Sequence, residues 1–362
     1  VVVDTAAFDY DLPEVRIAQH PVEPRDSARL LVDRGPTSDD GLRVAIDHRH
    51  VRDLPSLVDP GDLLVINTTR VLPARLHLVK LETGGAAEVL LLEQRPDLGV
   101  GCWEALVRPG GRLPPGTMLA NPVAADVLTV EVGGELGDGV RMVTLSTPDP
   151  SRLSAGIEAT GEMPLPPYIK APLDDPDRYQ TVYADRHRAD SSAAPTAGLH
   201  LTAEILAAMT ERGVAVATVD LTVGLGTFRP IKADQIEDHP MHAERYRVSP
   251  ATIDACRDTA ERGGRVVAVG TTTVRALESA AATGQFEGQT ELFIHGDFEF
   301  QVVDRLVTNF HQPRSSLLVM IDAFVGPRWR SLYDEALATD YRFLSFGDAM
   351  LLTRHDRGVD QA

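Results

Sequence analysis

The 362-residue chain is short of cysteine, lysine and aromatic side chains. Cys102 and Cys256 are its only cysteines and lie far apart, which excludes a disulfide framework and a cysteine-rich metal site. A reducing cytoplasm is the expected setting. No run of about 18 apolar residues occurs, so no spanning helix and no membrane partner are expected. The opening Val-Val-Val-Asp-Thr-Ala-Ala-Phe has no basic segment ahead of an apolar one, so no secretory signal is expected at this start. The dinucleotide fingerprint is missing, because Arg229 stands where Gly224-Leu225-Gly226 would need its third glycine. Gly270-Thr271-Thr272-Thr273 lacks the Gly-Lys pair of a phosphate loop, and no Gly-x-Ser-x-Gly elbow is present. No internal repeat is evident.

What is there is acidic and arginine-rich. The net charge of −18 argues against a non-specific nucleic-acid binder, although a local basic face is compatible with it. Lysine occurs only at 80, 170 and 232, so the positive charge is nearly all arginine, the better fork for phosphate. Arg186-His187-Arg188, the pair Arg245 and Arg247, and the pair Arg328 and Arg330 are either phosphate contacts or solvated faces. A hydrophobic share of 43% is enough for the core of one large domain or two smaller ones.

The pattern divides the chain. Leu63–Ile66 reads as a buried strand delivering Asn67, Thr68, Thr69 and Arg70, and polar residues past a buried strand are frequent site residues. Between 71 and 150 short strand-like runs alternate with Gly- and Pro-rich turns, which predicts a small all-β barrel. From 200 to 352 strands alternate with helices, which predicts an α/β core. A helix over Ala203–Arg212 takes Thr202 as its cap, and one over Ala251–Arg262 stops at Gly263-Gly264. The expected fold is therefore an α/β (α+β mixed) main domain made of 1–70 and 151–362, with an inserted β-barrel domain at 71–150.

The stretch Ser191–Phe228 concentrates candidate ligand contacts. Small residues at Pro195, Thr196, Ala197 and Gly198, and again at Gly224, Gly226 and Thr227 ahead of Phe228, let a ligand approach the backbone. Taken alone, Gly224-Leu225-Gly226 is a tight turn more often than a site. Thr271, Thr272 and Thr273 offer hydroxyls to a ligand or cap the helix that follows them. Arg275 and Glu278 are spaced to pair with each other or to face a ligand. His200, His239, His242 and His311 are the histidines of interest for acid–base work, His200 and His311 sitting beside small or proline-rich turns, and Pro164–Ile169 is a stiff connector or a wall presenting Tyr168. His239 and His242 lack the acidic or cysteine companions of a metal site.

Together these segments resemble the S-adenosylmethionine:tRNA ribosyltransferase-isomerase family of queuosine biosynthesis. The resemblance is carried, in order, by LLVINTTRVLPARL (63–76), PLPPYI (164–169), YQTVY (179–183), APTAGLH (194–200), VGLGTFR (223–229), GTTTVRALES (270–279), TNFH (308–311) and YRFLSFGDAM (341–350). It implies transfer and isomerisation of the ribosyl part of S-adenosylmethionine onto a 7-aminomethyl-7-deazaguanine in the tRNA anticodon loop. Epoxyqueuosine-tRNA, adenine and methionine would be the products. It implies no metal, and S-adenosylmethionine as co-substrate rather than resident cofactor. His200 and His242 would then move protons. Pro195–Gly198, Gly224, Gly226–Phe228, Thr271, Thr272, Arg275 and Glu278 would hold S-adenosylmethionine. Asn67, Arg70, Arg75, Tyr168, Asn309 and His311 would meet the acceptor or RNA, and a monomer is the default expectation. Thr68, Thr222, His295-Gly296-Asp297, Gln312 and Arg314 depart from the family pattern. They leave two other readings: a paralogue with a small nucleoside or metabolite acceptor, and a non-catalytic nucleoside- or RNA-binding protein.

Overall fold

The computed structural model describes residues 3–38, 41–137, 139–185, 189–224 and 230–355. The chain forms two compact units, one of Val1–Thr69, Pro167–Asp185 and Pro195–Ala362, the other of Arg70–Pro166 and Arg186–Ala194.

The first unit is built on a nine-stranded sheet. In spatial order its strands are Glu287–Thr290, Glu244–Val248, Ala215–Leu221, Leu63–Asn67, Val266–Val269, Arg305–Asn309, Ala349–Thr353, Arg29–Pro36 and Val44–His50. The middle four, from Ala215–Leu221 to Arg305–Asn309, are parallel, and antiparallel strands flank them on both sides. Strand residues of both parities are buried (Leu64 and Ile66, but also Leu63 and Val65), so both faces are covered. One face packs Leu64, Ile66, Val267, Val269 and Val307 on Ile205 and Met209 of the Ala203–Glu211 helix. That helix starts where the sequence predicts, with the Thr202 hydroxyl accepting from the Ile205 N–H at 3.2 Å.

Chain order fixes where a ligand can sit. Leu63–Asn67 is followed, among the parallel strands, by Ala215–Leu221 on one side, and then by Val266–Val269 and Arg305–Asn309 on the other. Connections therefore diverge at Leu63–Asn67, and in open α/β sheets the carboxyl end of such a strand is where ligands bind. Asn67 stands at that end and is fully buried. Its Nδ2 donates to the Leu221 carbonyl at 3.0 Å and to the Thr272 hydroxyl at 3.3 Å. Its Oδ1 accepts from the Thr69 and Leu221 N–H groups at 3.1 and 3.2 Å.

The second unit is a closed barrel. Six antiparallel strands run Arg75–Lys80, Ala86–Gln94, Cys102–Arg108, Val140–Ser146, Thr129–Gly137 and Met118–Ala120. Val79 pairing with Ala120 and Lys80 with Leu119 closes the ring. Alternate residues such as Trp103, Ala105 and Val107 fill it, and closure removes the sheet edges. Gly161, which pairs with Leu76, can only be glycine, because a β-carbon there would run into the Pro73 carbonyl.

Arg328 corrects its sequence reading as a phosphate contact or solvated face. It is 2% exposed, and its Nε and Nη2 donate to one oxygen of fully buried Asp33 at 3.1 and 2.9 Å. Its remaining donors meet the Val325 and Thr353 carbonyls, and the other Asp33 oxygen accepts from the Gly35 N–H. The fork ties the end of the Ser316–Val325 helix to two strands. Arg328→Met should cost about 3–5 kcal/mol by leaving Asp33 charged and unpaired. Urea unfolding of the variant, and of the Arg328→Met/Asp33→Leu pair that should recover much of the loss, tests this.

Candidate functional site

The site residues of the first unit gather at the carboxyl edge of the parallel strands. Val266–Val269 ends in Gly270, whose φ of +89° lets the chain turn at once into the Thr271–Thr283 helix. A β-carbon on Gly270 would lie 3.7 Å from Ala197, so the 195–198 segment meets the start of the Thr271–Thr283 helix here. Pro195, Ala197 and Gly198 are buried, and Gly198 has no room for a side chain because the Tyr183 hydroxyl occupies it. Thr271–Thr273 do not cap their helix: Thr273 donates to the Val269 carbonyl at 2.7 Å, and Thr272 receives the Asn67 amide. Gly226, Thr227 and Phe228 lie outside the described residues, as does the Arg186–Arg188 cluster.

A second buried carboxamide, Asn309, ends the neighbouring strand. Its Nδ2 donates to the Leu344 carbonyl at 3.2 Å and to His200 Nε2 at 3.1 Å, and its Oδ1 accepts from the Thr196 hydroxyl at 3.0 Å. A carbonyl partner admits only an N–H, which fixes the amide orientation. His200 Nε2 is therefore an acceptor and the ring proton sits on Nδ1. Leu344 presents that carbonyl from a left-handed conformation at φ 69°, strain localised beside the site. The next residues complete the edge: Tyr168 bonds the Ser345 hydroxyl at 2.7 Å.

His200 is 5% exposed; burial, and then Arg342, Arg178 and Arg25, lower its pKa to about 4. Burial alone lowers His311 to about 3, and its Nε2 meets the Thr308 hydroxyl at 3.0 Å. Its backbone is held by Tyr333 and Tyr10, so His311 serves the packing of this corner.

Among the described residues, two clefts are lined by candidate residues. The larger, of about 410 Å³, is lined by His242, His239, Phe293, Met241, Met320 and Arg275 among others. Phe293 stacks obliquely on His295 at 4.9 Å and edge-on to His239 at 6.0 Å, an apolar and aromatic wall suited to a flat ring. The smaller, of about 240 Å³, is lined by Arg25, Arg178, His200, Ser345, Phe346 and Gly347 among others. His200 and His242 thus line different clefts.

Arg275 and Glu278 do not pair with each other. Arg275 Nη1 forms a buried ion pair with Glu244, and its other nitrogens reach the Leu292 and Thr290 carbonyls at 3.2 and 3.3 Å. Glu244 also accepts from the Gly224 N–H at 3.0 Å, tying the helix to the chain just past Ala215–Leu221. Glu278 is fully buried, and its oxygens take the Gln301, Val302 and Val303 N–H groups at 2.8–3.1 Å, so it holds that loop. Both predicted ligand contacts are thereby committed to protein partners. Arg70 and Arg75 belong to the second unit, on Glu158 and Glu88 at 3.2 and 3.0 Å. Among the described residues no group of three or more His, Cys, Asp or Glu is arranged to hold a metal ion, and no helix is long and apolar enough to cross a membrane.

Glu244, Arg25, Arg178, Arg342 and Ser345 were absent from the sequence-derived site. Arg342 and Ser345 lie inside YRFLSFGDAM, where the motif itself was the available signal. Arg25 and Arg178 carried none.

The fold and candidate site define an α/β protein with a polar strand edge and a closed β-barrel. Comparison with known proteins makes this specific. The family described as "Queuosine biosynthesis protein" matches residues 5–352. The chain is 48% identical over 352 residues to the S-adenosylmethionine:tRNA ribosyltransferase-isomerase of Thermotoga petrophila, covering 95% of this chain and 98% of that protein. It is 47% identical over 353 residues to the protein of the same name from Synechococcus elongatus, covering 96% and 95%. The crystal structure of S-adenosylmethionine tRNA ribosyltransferase from Thermotoga maritima matches with a TM-score of 0.52 at 37% identity, over 95% of this chain and 99% of that one. The chain belongs to the queuosine biosynthesis protein family, as its ordered motifs imply.

The two buried histidines predict a pH effect. Between pH 6.5 and about 4 the unfolded chain protonates at both positions while folded His200 and His311 stay neutral. Their contribution to stability is therefore present above pH 6.5 and falls by up to about 1.4 kcal/mol per pH unit per histidine as pH drops. The loss from His200 levels off near pH 4 and that from His311 near pH 3. Urea midpoints from pH 7 to 4 should fall less steeply for His200→Gln than for the unsubstituted chain; parallel curves would refute the assignment.

Proposed function

We propose that the protein transfers and isomerises the ribosyl part of S-adenosylmethionine onto 7-aminomethyl-7-deazaguanine in tRNA, releasing adenine and methionine. The observation that carries this reading is near-full-length similarity to relatives named for that activity. The carboxyl edge of the parallel strands supplies a site of fitting chemistry.

In this reading the larger cleft takes the purine of the donor against Phe293 and the methionines. The small residues at 195–198 and 270–272 let the ribose lie against backbone. A sulfonium acidifies the neighbouring C5′ proton, and a nearby base removes it; a proton or hydrogen bond then helps adenine depart. The acceptor amine attacks in its neutral form. His242, exposed and lining this cleft, is the better placed of the two histidines to exchange protons with substrate and solvent. His200 has its only basic nitrogen occupied by Asn309, so it serves as a neutral Nδ1–H donor. Tyr168, at the edge beside Ser345, and Asn309 border the acceptor side.

Incubation with S-adenosylmethionine and tRNA carrying the deazaguanine precursor should release adenine and methionine, with no release when tRNA is omitted. Release without tRNA would instead favour a small-molecule acceptor, and binding without release a non-catalytic protein. His242→Gln should lower kcat about a hundredfold, the low end for a lost acid–base group, without a change in Tm. A kcat within twofold of the unsubstituted enzyme would exclude His242 as the proton carrier.

A further inference from the structure

We infer that the smaller cleft is an oxyanion subsite, in which Arg25 and Arg178, both in its lining, hold a carboxylate or phosphate beside the neutral His200. Its identity as substrate anion rests on the ribosyl-transfer reading; its existence does not.

The argument begins with charge. Three guanidiniums lie close enough to His200 to oppose its protonation. Arg25 and Arg178 also oppose each other: burial, and then Arg178, lower the Arg25 pKa. Like charges gathered in a half-buried cleft cost free energy unless counter-charge meets them. Most of the protein partners are neutral carbonyls. Arg25 donates to Gln180 and Asp177 carbonyls, Arg178 to that of Val22, and Arg342 to those of His20 and Phe346. Such bonds fix the direction of the forks without cancelling their charge.

The nearby carboxylates lie outside the lining of the cleft. Glu23 forms an ion pair with Arg178 Nε, and its side chain is 69% exposed. Asp175, which acts on Arg25, is also exposed. Asp348 faces Arg342, but its two oxygens accept the backbone N–H groups of Arg29 and Arg342, each at 2.8 Å. No carboxylate lines the cleft.

The remaining polar lining also suits an anion. His200 is 95% buried, and no described residue accepts from its Nδ1–H. Were His200 a cation, its charge would add to the three already there; held neutral, it donates without demanding a counter-ion of its own. Gly347 completes the wall, where any β-carbon would run into the Arg342 carbonyl. Arg275 and Arg328 each hold a carboxylate of the chain in a buried pair. Arg178 has Glu23 outside the lining, and with no carboxylate in the lining itself, one that met Arg25 and Arg178 inside the cleft would come from outside. Two sources fit: the α-carboxylate of the methionyl group, and an RNA phosphate reaching an otherwise acidic protein.

The test uses the full chain and Arg25→Gln and Arg178→Gln, each checked for an unchanged Tm. Titration with inorganic phosphate and with L-methionine, followed by NMR of the arginine Nε–H resonances, should show saturable binding of at least one probe, weakened about tenfold in each variant. In the adenine-release assay a KM increase of about tenfold for S-adenosylmethionine alone identifies the carboxylate. The same increase for tRNA alone, with a shallower salt dependence, identifies phosphate. Folded variants that bind both probes as tightly as the parent, or a parent that binds neither, overturn the subsite. A parent that binds a probe but releases no adenine keeps the subsite and overturns the ribosyl-transfer reading. Should a variant lose its fold, Arg→Lys at the same position keeps the charge and supplies the comparison.

Discussion

The site depends on the buried carboxamide of Asn67. It stands where the parallel strands diverge, and four hydrogen bonds saturate it. Only an amide offers donors and acceptors on one planar group of this size; an aspartate would place a charge among backbone carbonyls, and a leucine would orphan two N–H groups. Asn67 thereby sets the end of Ala215–Leu221 against the start of the Thr271–Thr283 helix. Asn309 repeats the device two strands away, joining Thr196, His200 and Leu344. Two rigid amides, rather than the loops alone, hold the small-residue segments in register along one edge.

Charge is distributed with the same economy. An overall −18 repels polyanions at long range, yet arginine is placed where it is needed locally. Arg328 and Arg275 are consumed by the fold, each closing a buried pair with a carboxylate of the chain. Arg25 and Arg178 line the smaller cleft, where the Gln180 and Val22 carbonyls orient their guanidiniums and Glu23 pairs with Arg178. Burial alone does not separate the two groups, since both are substantially covered.

Local pattern carried much of this into the sequence. Leu63–Asn67 is legible as a strand because an apolar run follows a Gly-Asp turn, and Ala203–Glu211 as a helix because Thr202 precedes its apolar face. The barrel is legible in the spacing of its turns. Pairings across long separations were not. Arg275 finds Glu244, 31 residues upstream, rather than Glu278 one turn away, because the helix points Glu278 toward the 301–303 backbone. Arg328 reads as surface from its neighbours, and its partner Asp33 lies 295 residues distant. Arg25 and Arg178 sit in ordinary polar turns, and only folding brings them to His200.

The histidines show how structure changes a chemical role without changing a residue. By type, His200 and His242 are equal candidates for moving a proton. Burial beside three arginines keeps the His200 imidazole neutral, and Asn309 occupies the nitrogen that would accept a proton. What remains is a fixed donor, suited to orienting an anion and unsuited to cycling between protonation states. His242 stands exposed in the aromatic cleft, where proton exchange with water is direct. In the proposed reading the edge divides its labour: one cleft for the flat ring and proton transfer, the other for charge. Such a division lets the charged handle of a substrate be gripped away from the bonds that change, so that grip and chemistry need not compete for the same groups.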